Sequence, residues 1–380
     1  MLDFELEIAT FDVMHRVWLV LLVFGLWGGS LLSAWGQDSL SLQDSIERPN
    51  LRVLALPLVF YTPDTRWGAG ASGLLTFNLG QDTSMARRSS VMPGFAVTTM
   101  QQLLVWMPYQ LFMGRQRYWI SGELDYFRYV YRHFGVGNEI ADKRADLYDS
   151  RVGRLRVNAM RALGRRLYVG LGYGLDLQEN TLRDSSGLMN ALQPVGYLGG
   201  TMSSLGLVLN FDSRDHINFP TRGWLLKSEL KGDHPLVGSD FRCVRLSMNM
   251  SRYLSRGKHV WALNGGMSMA WGNPSYFQMS YLGGPERLRG YYEGQYLDHH
   301  ASWLQAEYRS PLWWRLGAVA FAGVGTVWGR GRAWQWTYLR PNLGAGLRFR
   351  LDKLQKVNLR FDYGMGTGAR GFYLTFSEAF

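Results

Sequence analysis

The sequence has few cysteines and few charged residues for its length. Its 380 residues include one cysteine, Cys243, which excludes an intramolecular disulfide framework and a multi-cysteine metal site. Charged residues make up 19% of the chain, which is low for a soluble domain, whereas 45 glycines and 14% aromatic residues are high. The formal net charge of +11 is spread along the chain without a basic tract, which argues against a nucleic-acid-binding protein.

Long apolar runs are also scarce, and only Val17 to Trp27 forms one. It follows the basic pair His15 and Arg16 and precedes the small residues Ser33, Ala34 and Gly36. This pattern is typical of a secretory signal peptide, and the apolar run is too short for a membrane helix. We predict a signal peptide at residues 1–36 and a short polar periplasmic lead at 37–50. Because residues 1–13 are acidic, Met14 is an alternative start.

Catalytic and metal-binding patterns are missing as well. No G-x-S-x-G elbow occurs, and the histidines show no recognisable metal-ligand spacing. Asp298, His299 and His300 form the densest candidate group, for which a solvated loop is the simpler interpretation. We therefore predict that the protein is not an enzyme and has neither a cofactor nor a metal.

What the sequence does contain is alternation. Leu343, Leu347 and Leu351 lie on one face of a strand whose other face carries Arg348 and Arg350, and this period of two recurs from residue 51 to 380. A soluble β-sandwich also alternates. The predicted strands are long enough to cross a bilayer, however, and Trp and Tyr recur near their ends.

Strands in hydrocarbon must pair completely, so the sheet has to close. We predict an all-β fold: a closed, antiparallel transmembrane β-barrel of about 16 strands over residues 51–380. The number depends on whether Val91–Phe112 is one long strand or two strands meeting near Gln101, and 14 remains the alternative.

Two connections and the last strand stand out from the strand pattern. Leu282–Tyr296, LGGPERLRGYYEGQY, is a long loop before the last five predicted strands, and it carries Arg289 at its centre. The stretch 210–224, NFDSRDHINFPTRGW, is predicted to be a structural periplasmic turn built on Asp212, Arg214, Asp215, Phe219, Pro220 and Gly223. The last predicted strand, Gly371–Ala379, places Phe372, Leu374 and Phe376 on one face and ends the chain at Phe380, which resembles the assembly signal of outer-membrane barrels.

The LRGY motif (Leu288, Arg289, Gly290 and Tyr291) and the turn stretch, in this order, resemble the BamA/TamA-like family of outer-membrane assembly and translocation barrels, also called bacterial surface antigens. The resemblance covers the barrel. Residues 37–50 leave no room for the periplasmic polypeptide-transport-associated domains that usually precede it, so we expect a barrel alone.

The resemblance implies a position for the loop. The arginine of the motif, here Arg289, is expected to fold into the barrel interior and to pair with Glu307. The family's second acidic partner is replaced here by Gly323, so Asp362 and Asp212 are further candidates. Removing Arg289 is then expected to lower barrel stability or surface abundance.

The resemblance also implies a function and a location. We expect a barrel in the outer membrane of a Gram-negative bacterium, reached through the secretory pathway, that helps to insert or translocate proteins. Its expected partners are outer-membrane lipids, client outer-membrane proteins and accessory periplasmic proteins, but not nucleic acid. The alternatives are a loop-gated pore and a lipid-acting enzyme embedded in a barrel.

Overall fold

The computed structural model describes residues 51–79, 88–138, 145–184, 186–329, 333–352 and 356–380. The predicted signal peptide at 1–36 and the periplasmic lead at 37–50 lie outside the described residues. From residue 51 onward the described chain is dominated by β-strands.

The first half of the chain supplies the strands β1 Leu51–Thr62, β2 Arg66–Phe77, β3 Ser89–Val91, β4 Gly94–Thr98, β5 Leu103–Met113, β6 Tyr118–His133, β7 Asp146–Ala162, β8 Leu167–Leu182 and β9 Gly199–Asp212. The second half supplies β10 Gly223–Asp233, β11 Arg242–Arg256, β12 His259–Asn273, β13 Ser280–Leu282, β14 Tyr296–Asp298, β15 His300–Trp313, β16 Leu316–Trp328, β17 Arg340–Asp352, β18 Val357–Gly366 and β19 Ala369–Phe376.

All of these strands except β13 and β14 belong to one antiparallel sheet that closes on itself through β1 and β19. The short segments β3 and β4 together make one crossing of the barrel, since both pair with β2 on one side and β5 on the other. The barrel therefore has 16 strands. The predicted fold class is confirmed, and the stretch 91–112 is divided by a turn in which Gln101 adopts a positive φ of 60°.

The two faces of the strands differ as the alternation predicted. On β17, Leu343 and Leu347 are 56% and 52% exposed on the outer face, whereas Asn342 and Arg348 are buried on the inner face. Tryptophans at strand ends, including Trp224, Trp261, Trp271, Trp313 and Trp314, are exposed on the outer face. Trp303 also lies near a strand end, at the start of β15, but its side chain is inside the barrel and packs against the loop that precedes β15.

Helical structure is confined to the connections. The one α-helix of the described residues, α1, spans Leu188–Leu192, and short 3-10 turns occur at Pro235–Val237, Tyr276–Gln278 and Trp336–Tyr338. Within the described residues, no helix combines the length and the apolar character needed to cross a membrane.

The barrel has two unlike ends. We call the end where β1 begins and β19 finishes the terminus end, and it also holds the short turns 114–117, 163–166, 257–258 and 314–315 and the turn 213–222. We call the opposite end the loop end. From there the stretch 274–299, which contains the long loop, enters the interior between β12 and β15.

Candidate functional site

The long loop Leu282–Tyr296, which we call the inner loop, folds back into the barrel. Its short flanking strands β13 and β14 pair with each other, so both ends of the loop are fixed at one place. Gly283 and Gly290 adopt positive φ values of 104° and 116°, where a side chain would be strained. A Cβ on Gly283 would lie 1.8 Å from the carbonyl oxygen of Tyr292. The glycines therefore set the path of the loop.

The tip of the inner loop packs on glycines of the barrel wall. Leu288 is fully buried against Gly323 and Gly325 of β16, and a Cβ on these two glycines would lie 2.9 Å and 2.7 Å from its methyl carbons. Gly323 is the position at which the resemblance implied that an acidic partner is replaced. A side chain there would meet both Leu288 of the loop and the side-chain oxygen of Asn342, which would lie 2.7 Å from the Cβ.

A second pair of glycines receives the other half of the motif. Gly364 of β18 contacts the backbone of Arg289, and a Cβ there would lie 2.6 Å from the Arg289 carbonyl carbon. The ring of Tyr291 covers Gly366, also on β18, and its hydroxyl donates a hydrogen bond of 2.6 Å to the carbonyl oxygen of Pro341. The loop therefore fits the wall by shape as well as by charge.

Arg289 makes two ion pairs inside the barrel. Its Nη2 lies 2.5 Å from Oε2 of Glu307 on β15, and its Nη1 contacts Oδ2 of Asp362 on β18. The guanidinium also lies over the ring of Phe321, 3.5 Å from the ring centre. Arg289 is 1% exposed and both carboxylates are fully buried, so each charge depends on its protein partners.

The two further acidic candidates have different outcomes. Asp362 takes part in the contact with Arg289, so the inner loop has two carboxylate partners although Gly323 carries none. Asp212 lies at the end of β9, where both of its carboxylate oxygens accept hydrogen bonds of 3.0 Å from the guanidinium of Arg214. Asp212 thus contacts Arg214 within its own turn, and its expected contact with Arg289 stays a prediction.

The ion pairs of Arg289 belong to a larger cluster on the inner wall. Arg309 binds Glu307 at 2.8 Å, and Arg348 binds both Asp362 at 2.6 Å and Glu378 at 2.9 Å. We call the set the arginine cluster, and its members are Arg289, Arg309, Arg348, Arg360, Glu307, Asp362 and Glu378. Four guanidinium groups thus face three side-chain carboxylates.

The end of the chain joins this cluster. β19 ends at Phe376, Ser377 adopts a positive φ of 62°, and residues 377–380 turn into the interior. Glu378 there accepts hydrogen bonds of 2.9 Å from Arg348 and 2.7 Å from Asn358, and the carbonyl oxygen of Phe380 accepts one of 3.1 Å from Arg309.

The predicted last strand is therefore too long, because it was expected to continue to Ala379. Phe372 is 39% exposed on the outer face, as the assembly-signal pattern predicts, and Leu374 is buried where β19 meets β1. Phe380 instead lies inside the barrel near Arg309, with its ring centre 5.8 Å from the guanidinium carbon. Alternation alone did not reveal this, since the buried partners of Glu378 lie on other strands.

The seam between the first and last strands is short. β1 and β19 are paired at one position, Tyr61 with Leu374, whereas β18 and β19 are paired over eight positions and β6 and β7 over 16. Among the described residues, the β1 positions from Leu51 to Phe60 are not paired with β19. The inward turn of residues 377–380 removes the chain that would extend the pairing.

The turn 213–222 reaches under the barrel at the terminus end. The carboxylate of Asp215 accepts hydrogen bonds from the backbone amides of Thr221 and Arg222 at 2.8 Å and 3.1 Å, which fixes the return of the chain. Phe219 extends inward until its ring centre is 4.9 Å from the guanidinium carbon of Arg350. Pro220 lines an interior cavity, and Gly223 begins β10 with a positive φ of 107°. The predicted turn is present, and its aromatic side chain covers part of the barrel interior.

Two acidic groups meet at the loop end, above the seam. Asp64 lies in the turn between β1 and β2, and its carboxylate accepts a hydrogen bond from the backbone amide of Glu293 in the inner loop. Burial, followed by the nearby Glu293 carboxylate, raises the pKa of Asp64 to about 7. Burial also raises the pKa of Glu293. For both carboxyl groups, burial favours the neutral form over the charged form.

The remaining candidate group, Asp298, His299 and His300, lies at the end of β14 and the start of β15. His299 Nδ1 lies 3.2 Å from Oδ1 of Asp298, and His300 packs between Trp271 and Trp328. Over the described ranges, no three His, Cys, Asp or Glu side chains are placed to hold a metal ion.

A closed 16-strand barrel with an apolar outer face, a charged inner face and an in-folded arginine loop defines an outer-membrane β-barrel protein. The sequence profile of the Omp85 superfamily domain matches residues 67–380. The chain therefore belongs to the Omp85 superfamily, which agrees with the resemblance seen in the loop and turn motifs.

Solved structures show the same fold. BamA from Haemophilus ducreyi lacking POTRA domains 1–3 aligns with a TM-score of 0.59 at 16% identity, over 87% of this chain and 70% of that chain. CdiB from Escherichia coli gives 0.56 at 12% identity over 88% and 63%, and CdiB from Acinetobacter baumannii gives 0.54 at 14% over 86% and 60%. This chain thus spans less than two thirds of the two CdiB chains. None of the curated proteins compared with the chain matches it significantly.

Proposed function

We propose that this barrel inserts or translocates proteins at the outer membrane, with the seam between β1 and β19 as the place where it opens. Membership of the Omp85 superfamily and the fold shared with BamA and CdiB support a role of this general kind. The observation that carries the proposal is the seam itself, which has one residue pair.

The seam supports the proposal energetically. Each backbone group left unpaired in hydrocarbon costs several kcal/mol, so a free strand edge within a bilayer favours a new pairing partner. The edge of β1 from Leu51 to Phe60 offers such a partner position. Opening the seam further would break the single pair at Tyr61 and Leu374, whereas opening β18 from β19 would break eight.

The inner loop has a supporting role in this proposal. Arg289 joins β15 to β18, and the hydroxyl of Tyr373 on β19 accepts a hydrogen bond of 2.9 Å from the Gly290 amide. The last strand is therefore held to the loop while its outer edge stays nearly free. We propose that the loop keeps the C-terminal wall rigid during opening at the seam.

A disulfide across the seam tests the proposal. In a Cys243→Ser background, the pair Tyr61→Cys and Leu374→Cys joins the two residues that face each other in the register. A matched control pair, Tyr308→Cys and Ala320→Cys, joins the fully paired strands β15 and β16. Each is supplied as the only copy in cells depleted of the native protein, and the outer-membrane proteins are then counted by quantitative proteomics.

We expect the oxidised seam variant to lose the same set of outer-membrane proteins as depletion does, and reductant to restore them. The control pair should behave like the native protein in both states. A seam variant that remains fully active when its cross-link is complete contradicts the proposal.

The alternative of a loop-gated pore has one observation in its favour, because several arginines line the interior and would favour anions. Arg154 and Arg156 are among them, and both bind Asp176. Conductance in planar bilayers separates the two functions: a steady, large conductance of the native protein would favour the pore.

A further inference from the structure

A basic cavity opens at the terminus end of the barrel. It has a volume of about 520 Å³ and lies between the turn 213–222, the turn 257–258 and the turn 314–315, against the inner wall formed by β15, β17 and β18. We call it the mouth cavity. Its charged lining consists of Arg222, Lys258, Arg309, Arg315, Arg348, Arg350 and Asp215. Six cations and one carboxylate therefore line the cavity among the described side chains, and two of the cations, Arg309 and Arg348, are already paired in the arginine cluster.

That single carboxylate does not neutralise the cavity. Asp215 accepts hydrogen bonds from the amide and hydroxyl of Thr221 and from the amide of Arg222, all within its own turn. Arg315 donates to the backbone carbonyl of Leu351 at 3.1 Å, and Arg350 donates to the side-chain oxygen of Asn358 at 3.4 Å. These acceptors are neutral, so the positive charge of both guanidinium groups remains available to a ligand.

Two donors in the cavity wall are buried without a hydrogen-bond acceptor. Arg309 is 3% exposed, and its Nε and Nη2 bind Glu307 and the Phe380 carbonyl, whereas its Nη1 has no acceptor among the described residues. The Nε of Arg315 is likewise buried without an acceptor there. A buried donor without an acceptor costs about 1–3 kcal/mol, and more when the group is charged. Either guanidinium would recover this cost if its side chain turned the donor towards an anionic oxygen in the cavity.

The surroundings of the cavity indicate where the anion comes from. The hairpin between β15 and β16 carries Leu312, Trp313 and Trp314, which are 59%, 75% and 69% exposed, and Trp314 also lines the cavity. Exposed tryptophans on a membrane barrel lie at the level of the lipid headgroups. The cavity mouth is therefore at the depth where phospholipid phosphates lie.

We propose that the mouth cavity binds the phosphate of an anionic phospholipid from the leaflet at the terminus end. The planar guanidinium groups of Arg315 and Arg350 suit the paired oxygens of a phosphate. The cavity volume is also within the range of small-molecule sites, which leaves space for a glycerol headgroup beside the phosphate.

Native mass spectrometry tests the proposal with the whole chain purified in detergent. The barrel is stripped of lipid and titrated with dioleoylphosphatidylglycerol or with dioleoylphosphatidylcholine. The variants Arg315→Gln and Arg350→Gln each remove one cavity cation. Arg165→Gln is the matched control, because Arg165 is an exposed arginine in the turn 163–166 at the same end and does not line the cavity.

We expect the native chain to retain phosphatidylglycerol in preference to phosphatidylcholine. Each cavity variant should lose about tenfold in affinity, the size expected when one charged hydrogen bond is removed. Arg165→Gln should bind like the native chain. If either cavity variant fails to fold, as judged by its heat-dependent shift on a gel, Lys258→Gln replaces it, since Lys258 is exposed on a turn.

Four results would overturn the proposal. The first is equal retention of the two lipids, and the second is undiminished phosphatidylglycerol binding in both cavity variants. The third is displacement of the lipid by a short polyglutamate peptide at equal concentration, which would assign the cavity to an acidic protein segment. Displacement by millimolar inorganic phosphate alone would retain the phosphate chemistry but overturn the lipid as its source.

Discussion

Replacing Arg289 with alanine is expected to destabilise the barrel by releasing the inner loop from its wall. Breaking a buried ion pair costs about 3–5 kcal/mol when a charge is left without a partner. Here the two carboxylates keep other partners, since Glu307 still binds Arg309 and Asp362 still binds Arg348. The expected loss is therefore near the lower limit, about 3 kcal/mol.

Arg289→Ala and Glu307→Gln change the charge balance of the arginine cluster in opposite directions. The cluster has four cations and three side-chain carboxylates, so Arg289→Ala leaves three of each. Glu307→Gln instead leaves four cations with two carboxylates, in a place where Arg309 and Arg289 both depend on Glu307. We expect Glu307→Gln to lower the free energy of unfolding by about 5 kcal/mol in total, which is more than the loss expected for Arg289→Ala.

The free energy of unfolding is measured by guanidinium titration in detergent, followed by tryptophan fluorescence. Arg287→Ala is the control, because Arg287 lies on the same loop and stacks over Trp303 at 4.6 Å but is outside the arginine cluster. It should cost much less than Arg289→Ala. The reasoning is refuted if Arg289→Ala unfolds at the native denaturant concentration and keeps its surface abundance, or if Glu307→Gln is the milder change.

Three further changes test other parts of the site. Asp64→Asn should raise the free energy of unfolding at pH 8, by an amount on the order of 4 kcal/mol at most, and leave it unchanged at pH 4. The pKa of Asp64 is raised from 3.8 to about 7, so the favourable contribution of its neutral form is lost as pH rises through about 7. Gel-shift melting curves in which variant and native protein differ equally at the two pH values would contradict this. Gly323→Ala should displace the inner loop and expose it to trypsin, because its Cβ would lie 2.9 Å from a methyl carbon of Leu288. Gly153→Ala is the control and should not expose the loop, because nothing lies within 4 Å of a Cβ there. Equal trypsin cleavage rates of the two variants would count against the glycine packing. Glu378→Gln should free the last four residues for carboxypeptidase, and continued protection of Phe380 would show that the ion pairs are not what holds the end inside.

Much of the fold follows from the sequence because a membrane barrel repeats one local rule. Each strand must place apolar side chains towards lipid, so the period of two in residues such as Leu343 and Leu347 was sufficient to predict the strands and their faces. The inner loop could be located because its glycines and Arg289 interrupt that rule.

What the sequence could not supply was register. Glu378 fits the alternation of a strand that continues to Ala379, but its carboxylate finds Arg348 and Asn358 only when β17 and β18 are in their places. The same holds for Trp303, whose position near a strand end suggested the membrane interface, while the arrival of the inner loop buries it inside. In each case a contact between residues far apart in the sequence decides the outcome.

The contacts of the inner loop have a consequence for the order of assembly. Arg289 and Gly290 bind Glu307, Asp362 and Tyr373, which lie 18, 73 and 83 positions away along the chain. Glu307, Asp362 and Tyr373 come together only when the last five strands have paired, and contacts between residues distant in the sequence form slowly. The inner loop is therefore expected to dock onto the barrel wall late in folding, after the C-terminal half of the barrel has formed. Trypsin added during refolding should cut the loop until the final hairpin is complete.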